Sequence, residues 1–377
     1  MKILFLTGGS PATVFALSPL ATAARLSGHD VLVASNEDMS SFVASVGLPT
    51  VSVTSGKMLE FMFTDRDGTK LDLPGDPMDR LRFNGRGFGR LAAASLPKLR
   101  ELVADWQPDL VVGGSLCYAA GLIAREIGAP FVRHTWDLGE PPAIDDGASE
   151  ELASELAALN LDGVAVPDLW IDICPPSLRA PGLSGRQDMR FIPYNQQRTL
   201  EPWMYRRGDR PRVCVTAGSR VSHEAEIEYL TALVESIDPL EADIVIAAPE
   251  AVAADLRAAK PRVHVGWFPL DTLLTTCDLI VHHGGGQSCL NALNAGVPQL
   301  LIPTIPKMVP PCTRISDYGA GTTLLGEDQA PEHLAKAASE ILGTPSFRER
   351  AHSVSAEIAA QPTPSAVVAE LTDLVRR

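Results

Sequence analysis

The six cysteines, Cys117, Cys174, Cys214, Cys277, Cys289 and Cys312, form no C-x-x-C pair, so neither a disulfide framework nor a zinc site is suggested. Basic charge is also scarce: 32 Lys and Arg stand against 46 Asp and Glu, a formal net charge of −14. A nucleic-acid partner is thereby disfavoured, because such a surface needs clustered cations to neutralise phosphates. No apolar run approaches the roughly 18 residues that span a bilayer. The opening Ile3-Leu4-Phe5-Leu6 is a strand's length, too short for a signal-peptide core. The chain therefore reads as cytoplasmic, with no membrane partner. Neither of its two prominent glycine turns spells G-x-G-x-x-G, which weighs against a dinucleotide oxidoreductase.

What is present is an α/β pattern laid down twice. The 377 residues predict two domains, and 45% apolar content supports sizeable cores. Lys2 to Leu6 reads as a strand, Thr7-Gly8-Gly9-Ser10-Pro11 as a glycine turn, and residues 14–26 as a helix with Leu17, Leu20 and Ala24 on one face. The plan recurs at Arg212-Val213-Cys214-Val215-Thr216, followed by Ala217-Gly218-Ser219-Arg220 and a helix over about 222–237. Between them, residues 194–211 lose periodicity and read as an interdomain connection, with Trp203 and Tyr205 as anchors. We expect an N-terminal domain over 1–200, with residues 361–377 packing back on it, and a C-terminal domain over 208–360. The two Rossmann-like domains are expected to face each other across a cleft.

Three stretches carry candidate chemistry. Residues 278–303 run from a strand through His282-His283-Gly284-Gly285-Gly286 into a helical segment. Helix N-termini present unpaired amides and a positive dipole end, so this is a candidate phosphate cradle, with a histidine at its mouth. Residues 130–137 read as a strand ending on Asp137, either a general base at a strand's carboxyl end or a cap on the next helix; the acids of the loop over 140–146 are weaker candidates. Residues 55–89 break the pattern, with Met58, Leu59, Phe61, Met62 and Phe63 followed by turn residues that include Asn84-Gly85-Arg86-Gly87. They read either as a lid over an apolar ligand or as a surface excursion. Within them Asp65-Arg66-Asp67 lacks a third oxygen ligand, and no metal is expected. Ser10, at the end of the first strand, serves either acceptor or phosphate positioning or a helix cap.

Gly266-Trp267-Phe268-Pro269-Leu270, Cys277-Asp278-Leu279-Ile280-Val281-His282-His283-Gly284-Gly285 and Ala295-Gly296-Val297-Pro298-Gln299 together resemble the donor signature of family 1 glycosyltransferases of the GT-B fold. Residues 9–17, 171–179 and 200–205 are more narrowly similar to the angucycline olivosyltransferases of the landomycin and urdamycin pathways, the landomycin type preferred. The resemblance implies a dTDP-2,6-dideoxyhexose donor as co-substrate, an aromatic polyketide acceptor and no resident cofactor; a homodimer stays open. It implies that His283, Ser288 and the backbone at Gly285, Gly286 and Gln287 hold the diphosphate. Ser219 and Arg220 would approach from the other turn. Trp267 would stack on the base while the backbone of Phe268 reads its edge. The family's usual base histidine aligns with Thr13, which raises Asp137 to the first candidate, with Ser10 beside it. Gln287 and Cys289 depart from the usual glycine and hydroxyl, and Lys307-Met308-Val309-Pro310-Pro311 stands where an Asp-Gln pair normally grips sugar hydroxyls. The expected activity is inverting transfer to a phenol. C-glycosylation, a sugar-nucleotide 2-epimerase and a non-catalytic helper of the same fold are the alternatives.

Overall fold

Strands that are apolar along their whole length need cover on both faces, which parallel sheets flanked by helices provide. The computed structural model, which describes residues 1–218, 223–260 and 263–376, contains two such sheets. The first has the order β3-β2-β1-β4-β5-β6-β7, all parallel. Its strands are β1 (Lys2–Leu6), β2 (Asp30–Asn36), β3 (Thr50–Thr54), β4 (Leu110–Gly114), β5 (Phe131–His134), β6 (Leu169–Asp172) and β7 (Gln187–Asp188). Around it pack α1 (Pro11–Leu26), α2 (Ser40–Ser45), α3 (Met58–Phe63), α4 (Pro77–Trp106), α5 (Tyr118–Ile127), α6 (Pro142–Glu151) and α7 (Ala153–Ala158). Leu4, Leu96, Leu99, Ile123 and Phe131 centre the core.

The second sheet, β10-β9-β8-β11-β12-β13, is also parallel. It comprises β8 (Arg212–Thr216), β9 (Asp243–Ala247), β10 (His264–Gly266), β11 (Leu279–His282), β12 (Gln299–Leu301) and β13 (Gly321–Thr323). Its helices are α8 (Pro202–Tyr205), α9 (His223–Ile237), α10 (Glu250–Ala259), α11 (Leu270–Leu273), α12 (Gly286–Ala295), α13 (Val309–Tyr318), α14 (Pro331–Gly343) and α15 (Pro345–Ala360). The last helix, α16 (Pro364–Arg376), packs against α1. No helix among the described residues is long and apolar enough to cross a membrane.

The chain divides into one unit of Met1–Cys174, Ala180–Tyr194 and Gln361–Arg377 and a second of Pro175–Arg179 and Asn195–Ala360. The polar connection thus belongs to the second unit from Asn195 onward. Arg198 donates to the Trp267 carbonyl (3.0 Å), Trp203 stacks on His264 (3.8 Å between rings) and Arg207 pairs with Asp278 (2.9 Å). Tyr205 is half exposed.

Two expectations are corrected. The segment expected to be irregular to residue 89 becomes helical at Pro77, and the acidic loop over 140–146 is largely the first turns of α6. Asp76 caps α4 by accepting from the amides of Met78 (2.8 Å) and Asp79 (3.0 Å), with Pro77 at the first helical position. The glycines that read as a turn are the contact surface instead. A Cβ on Gly85 would lie 1.9 Å from the Ile144 carbonyl oxygen of α6, and one on Gly147 of α6 would lie 2.1 Å from the Arg82 carbonyl oxygen. Close helix approach selects glycine here against its propensity.

Gly85→Ala would gain about 1 kcal/mol on propensity alone. We expect it instead to lose about 1–3 kcal/mol to overpacking, read as a lower urea midpoint at unchanged m-value. Gly343→Ala, where the Cβ meets open space, is the control. An equal loss there would reject the packing account.

Candidate active site

Ligands of open parallel sheets gather where the strand order reverses. In the second sheet that place is between β8 and β11, since β9 and β10 follow β8 on one side and β11 lies on the other. Two glycine turns meet there around His283. A Cβ on Gly218, just past β8, would lie 2.4 Å from His283 Cε1, and one on Gly285 would lie 2.4 Å from Nε2. Gly284 has φ +76°, and its Cβ would fall 2.4 Å from Cys312 Sγ of α13. The three consecutive glycines therefore have separate reasons. Gly284 turns the chain under α13, Gly285 admits the imidazole, and Gly286 opens α12. The first intrahelical bond of α12 runs from the Cys289 amide to Gly285 O (2.9 Å). The amides of residues 286–288 precede it, at the positive end of the helix dipole. Gln287 and Ser288 are half-buried in this first turn.

The neighbouring histidine is built differently. His282 is fully buried, its Nδ1 accepts the Gly284 amide (3.2 Å), and its Nε2 pairs with Gln299 Oε1 (2.9 Å). Nε2 therefore carries the proton. Burial, reinforced by the nearby His283, pushes its pKa down to about 3. His282 shapes the turn, and His283 is the one presented at it.

Trp267 follows the last residue of the edge strand β10 and is half-buried. Its Nε1 is enclosed without a hydrogen-bond partner among the described residues. The Phe268 side chain turns into the core, edge-on to Trp203 (5.1 Å), which leaves its backbone as the group available for recognition. A pocket of about 380 Å³ beside β10, lined by Arg198, Trp203, Arg257, His264 and Phe268, includes no residue of the His283 turns. Met308 and Pro303 come within 3.9 and 3.5 Å of the position a Cβ would take on Gly284, so apolar groups pack against the turn. Ser219 and Arg220 lie outside the described residues.

In the first sheet the order reverses between β1 and β4. Ser10 is buried there, at the N-cap of α1, with no side-chain capping bond. Thr13 is buried, and its hydroxyl lies within reach of the carbonyls of Gly8 (2.8 Å) and Ser10 (2.7 Å), a structural use. Asn36, which no sequence motif marks, is buried at the end of β2 and accepts the Gly9 amide (3.2 Å).

Strand β5 stops at His134, so Asp137 stands on a loop rather than on the strand's last residue. Sheet pairing persists one residue further, through the Thr135 amide to Ile171 O (2.9 Å), and then the Trp136 amide turns to Ser115 Oγ (3.1 Å). Asp137 is half-buried and accepts the Gly139 amide (3.1 Å). The N-cap of α6 is Pro141, so Asp137 is not its cap. Asp145 is engaged by two side chains. It takes a two-pronged bond from buried Arg133 (2.8 and 2.6 Å) and one from the Tyr118 hydroxyl (2.8 Å). Arg133 also donates to Ser115 O (2.7 Å) and lies over the Trp170 ring, so the residue holding Trp136 is itself held.

Family models described as the C-terminal and N-terminal domains of erythromycin biosynthesis protein CIII-like match residues 231–374 and 84–218. The chain is 32% identical to the L-demethylnoviosyl transferase of Streptomyces niveus, covering 98% of this chain and 97% of the relative. It is 32% identical to the elloramycin glycosyltransferase ElmGT of Streptomyces olivaceus, again over 98% and 97%. The crystal structure of the glycosyltransferase SsfS6 from Streptomyces sp. SF2575, complexed with thymidine diphosphate, superposes with a TM-score of 0.88 at 32% identity, over 99% of both chains.

The depressed pKa of His282 predicts a pH dependence. The unfolded state takes up a proton near pH 6.5 that the folded state accepts only near 3, so this contribution is complete above about 6.5 and is lost as pH falls. Thermal unfolding between pH 7.5 and 5 should show stability falling with pH, and His282→Asn should flatten that slope. An unchanged slope would remove His282 as its source.

Proposed function

Because this chain belongs to the erythromycin biosynthesis protein CIII-like glycosyltransferases of antibiotic biosynthesis and has their GT-B fold, we propose that it moves a 2,6-dideoxyhexose of the D-olivose type from a dTDP-sugar to an angucycline phenol, with inversion. The observation that carries this reading is the His283 imidazole fitted between Gly218 and Gly285 at the N-terminus of α12. A donor placed there before reaction needs no reorganisation as charge builds on a departing diphosphate. The thymidine diphosphate bound by SsfS6 supports the same nucleotide here. The elloramycin and L-demethylnoviosyl relatives support an antibiotic aglycone.

Asp137 takes the proton of the phenol, and the phenolate oxygen forms a bond to the anomeric carbon on the face opposite dTDP. The anomeric carbon–oxygen bond to the diphosphate breaks, and the charge on dTDP is met by His283, Ser288 and the amides of Gly286 and Gln287. Ser219 and Arg220 are assigned to the phosphates, and Ser10 positions acceptor or phosphate. Trp267 stacks on thymine, whose edge is read by the backbone at Phe268. The segment Lys307-Met308-Val309-Pro310-Pro311, whose Met308 packs near Gly284, suits a sugar that has lost hydroxyls and carries a methyl group.

His283→Ala should lower kcat on the order of a hundredfold or more. Asp137→Asn, which keeps the shape, should cost on the order of 10²–10⁴-fold and abolish the alkaline-going limb of the pH–rate profile. Wild-type turnover by Asp137→Asn across pH would end the base assignment. With dTDP-olivose and an angucyclinone, mass spectrometry should find the glycoside and mild acid should release the sugar. An acid-stable product would mean a C-glycoside.

A further inference from the structure

We propose that Arg90 and Arg66 form a clasp that fixes helix α3 beside the Asp137 loop and makes Met58 a specificity-determining residue for the acceptor ring. This rests on Asp137 as the acceptor's base. The chain leaves β3 at Thr54, forms α3, turns through residues 64–70 and returns at the cap of α4. So short a helix is held by its ends, whose carbonyls need donors. Arg90, buried on α4, supplies them: Nε donates to Phe61 O (2.6 Å) and Nη2 to Met62 O (3.2 Å). Its Nη1 pairs with Glu151 (2.8 Å).

Arg66, on the turn after α3, reaches the same carboxylate (2.8 Å), the Glu151 carbonyl (2.8 Å) and Glu155 (2.8 Å). One acid therefore fastens α3 from beneath and its following turn from outside. A buried ion pair is not the cheapest way to hold a helix, because both charges lose water; what it adds is a fixed geometry.

That geometry leads to the base. Met62 Sδ lies 2.3 Å from where a Cβ on Gly87 would stand, so α3 is seated in a notch of α4. A Cβ on Gly9, next to Ser10, would meet Met58 Sδ at 3.3 Å and the Phe88 ring at 3.1 Å. Phe88 packs on Trp136 (5.8 Å between rings), the residue before Asp137. The half-buried Met58 thioether thus joins the apolar wall that borders both candidate acceptor residues, and its flexibility lets the wall adapt to rings of different width. Leu59 and Phe63 are exposed on the same helix.

Arg66→Met, Glu155→Gln and Arg90→Lys, assayed with acceptor varied at saturating donor, should raise acceptor KM by about fivefold, the scale of one surface ion pair, with donor KM unchanged. Thermolysin should cut residues 55–76 faster in these variants. Faster cutting with unchanged acceptor KM would overturn the proposal. Met58→Ala should reorder kcat/KM among aromatic acceptors of different width, and an unchanged order would remove Met58. If the wild type transfers to no aromatic polyketide, the base reading fails separately. The clasp is then judged by whether a bound aromatic polyketide slows thermolysin less in Arg66→Met than in the wild type, equal protection rejecting it.

Discussion

An imidazole pressed against two α-carbons leaves little room for alternatives, and much of the C-terminal unit follows from it. Gly218 and Gly285 must come from strands that lie side by side, which makes β8 and β11 neighbours and brings their carboxyl ends together. Beyond the second contact the chain continues as α12, whose first amides share the histidine's outlook. His282 completes the arrangement from below, because its bond to the Gly284 amide holds the turn in the left-handed conformation that glycine tolerates. Protonation would cost that bond, so burial that keeps His282 neutral also keeps the turn in shape.

The N-terminal unit solves a different problem. Asp137 lies in no strand or helix, yet its loop is held at successive residues. Thr135 is tied to β6, Trp136 to Ser115, and Asp137 to the turn at Gly139. Trp136 also needs Gly114, where a Cβ would fall 1.7 Å from the indole nitrogen. Behind Ser115 stand buried Arg133 and Tyr118 with half-buried Asp145, a group in which each member answers another. Networks of this kind are rigid when every member is satisfied. An irregular loop can carry a precise side chain because the rigidity lies one layer behind it.

The parts of this design that were legible from the sequence are those in which one local pattern has one physical outcome. Apolar runs ending in glycine gave β1, β8 and β11, and the repeated strand–turn–helix order gave two α/β units. Short strands with mixed polarity, such as Thr50–Thr54 and Gly321–Thr323, carry no such signal, since their pairing is decided by neighbours distant in sequence. The glycines of α4 misled because glycine has two opposite uses, loosening a turn and letting helices touch, and only the partner helix distinguishes them. Within the site, the strand–glycine–helix pattern at His283 was readable. That Gln299 and the Gly284 amide hold His282 was not, as the Gln299 contact comes from a neighbouring strand. Asp137 was visible as an acid near a strand's end, while the occupation of Asp145 by Arg133 required the fold.

Residues 175–179 belong to the C-terminal unit although the chain on both sides belongs to the N-terminal one. There Ser177 is bonded by Glu357 of α15, and the Leu178 carbonyl accepts Arg314 of α13. The terminal residues 361–377 make the reverse exchange. Each unit is therefore discontinuous in the gene. A single recombination crossover near residue 195 would deliver a C-terminal unit without its own ledge at Leu178 and an N-terminal unit carrying another chain's last helix. Shuffling of such halves between relatives selects for compatibility at these short exchanged pieces, which places an evolutionary constraint on residues far from the chemistry.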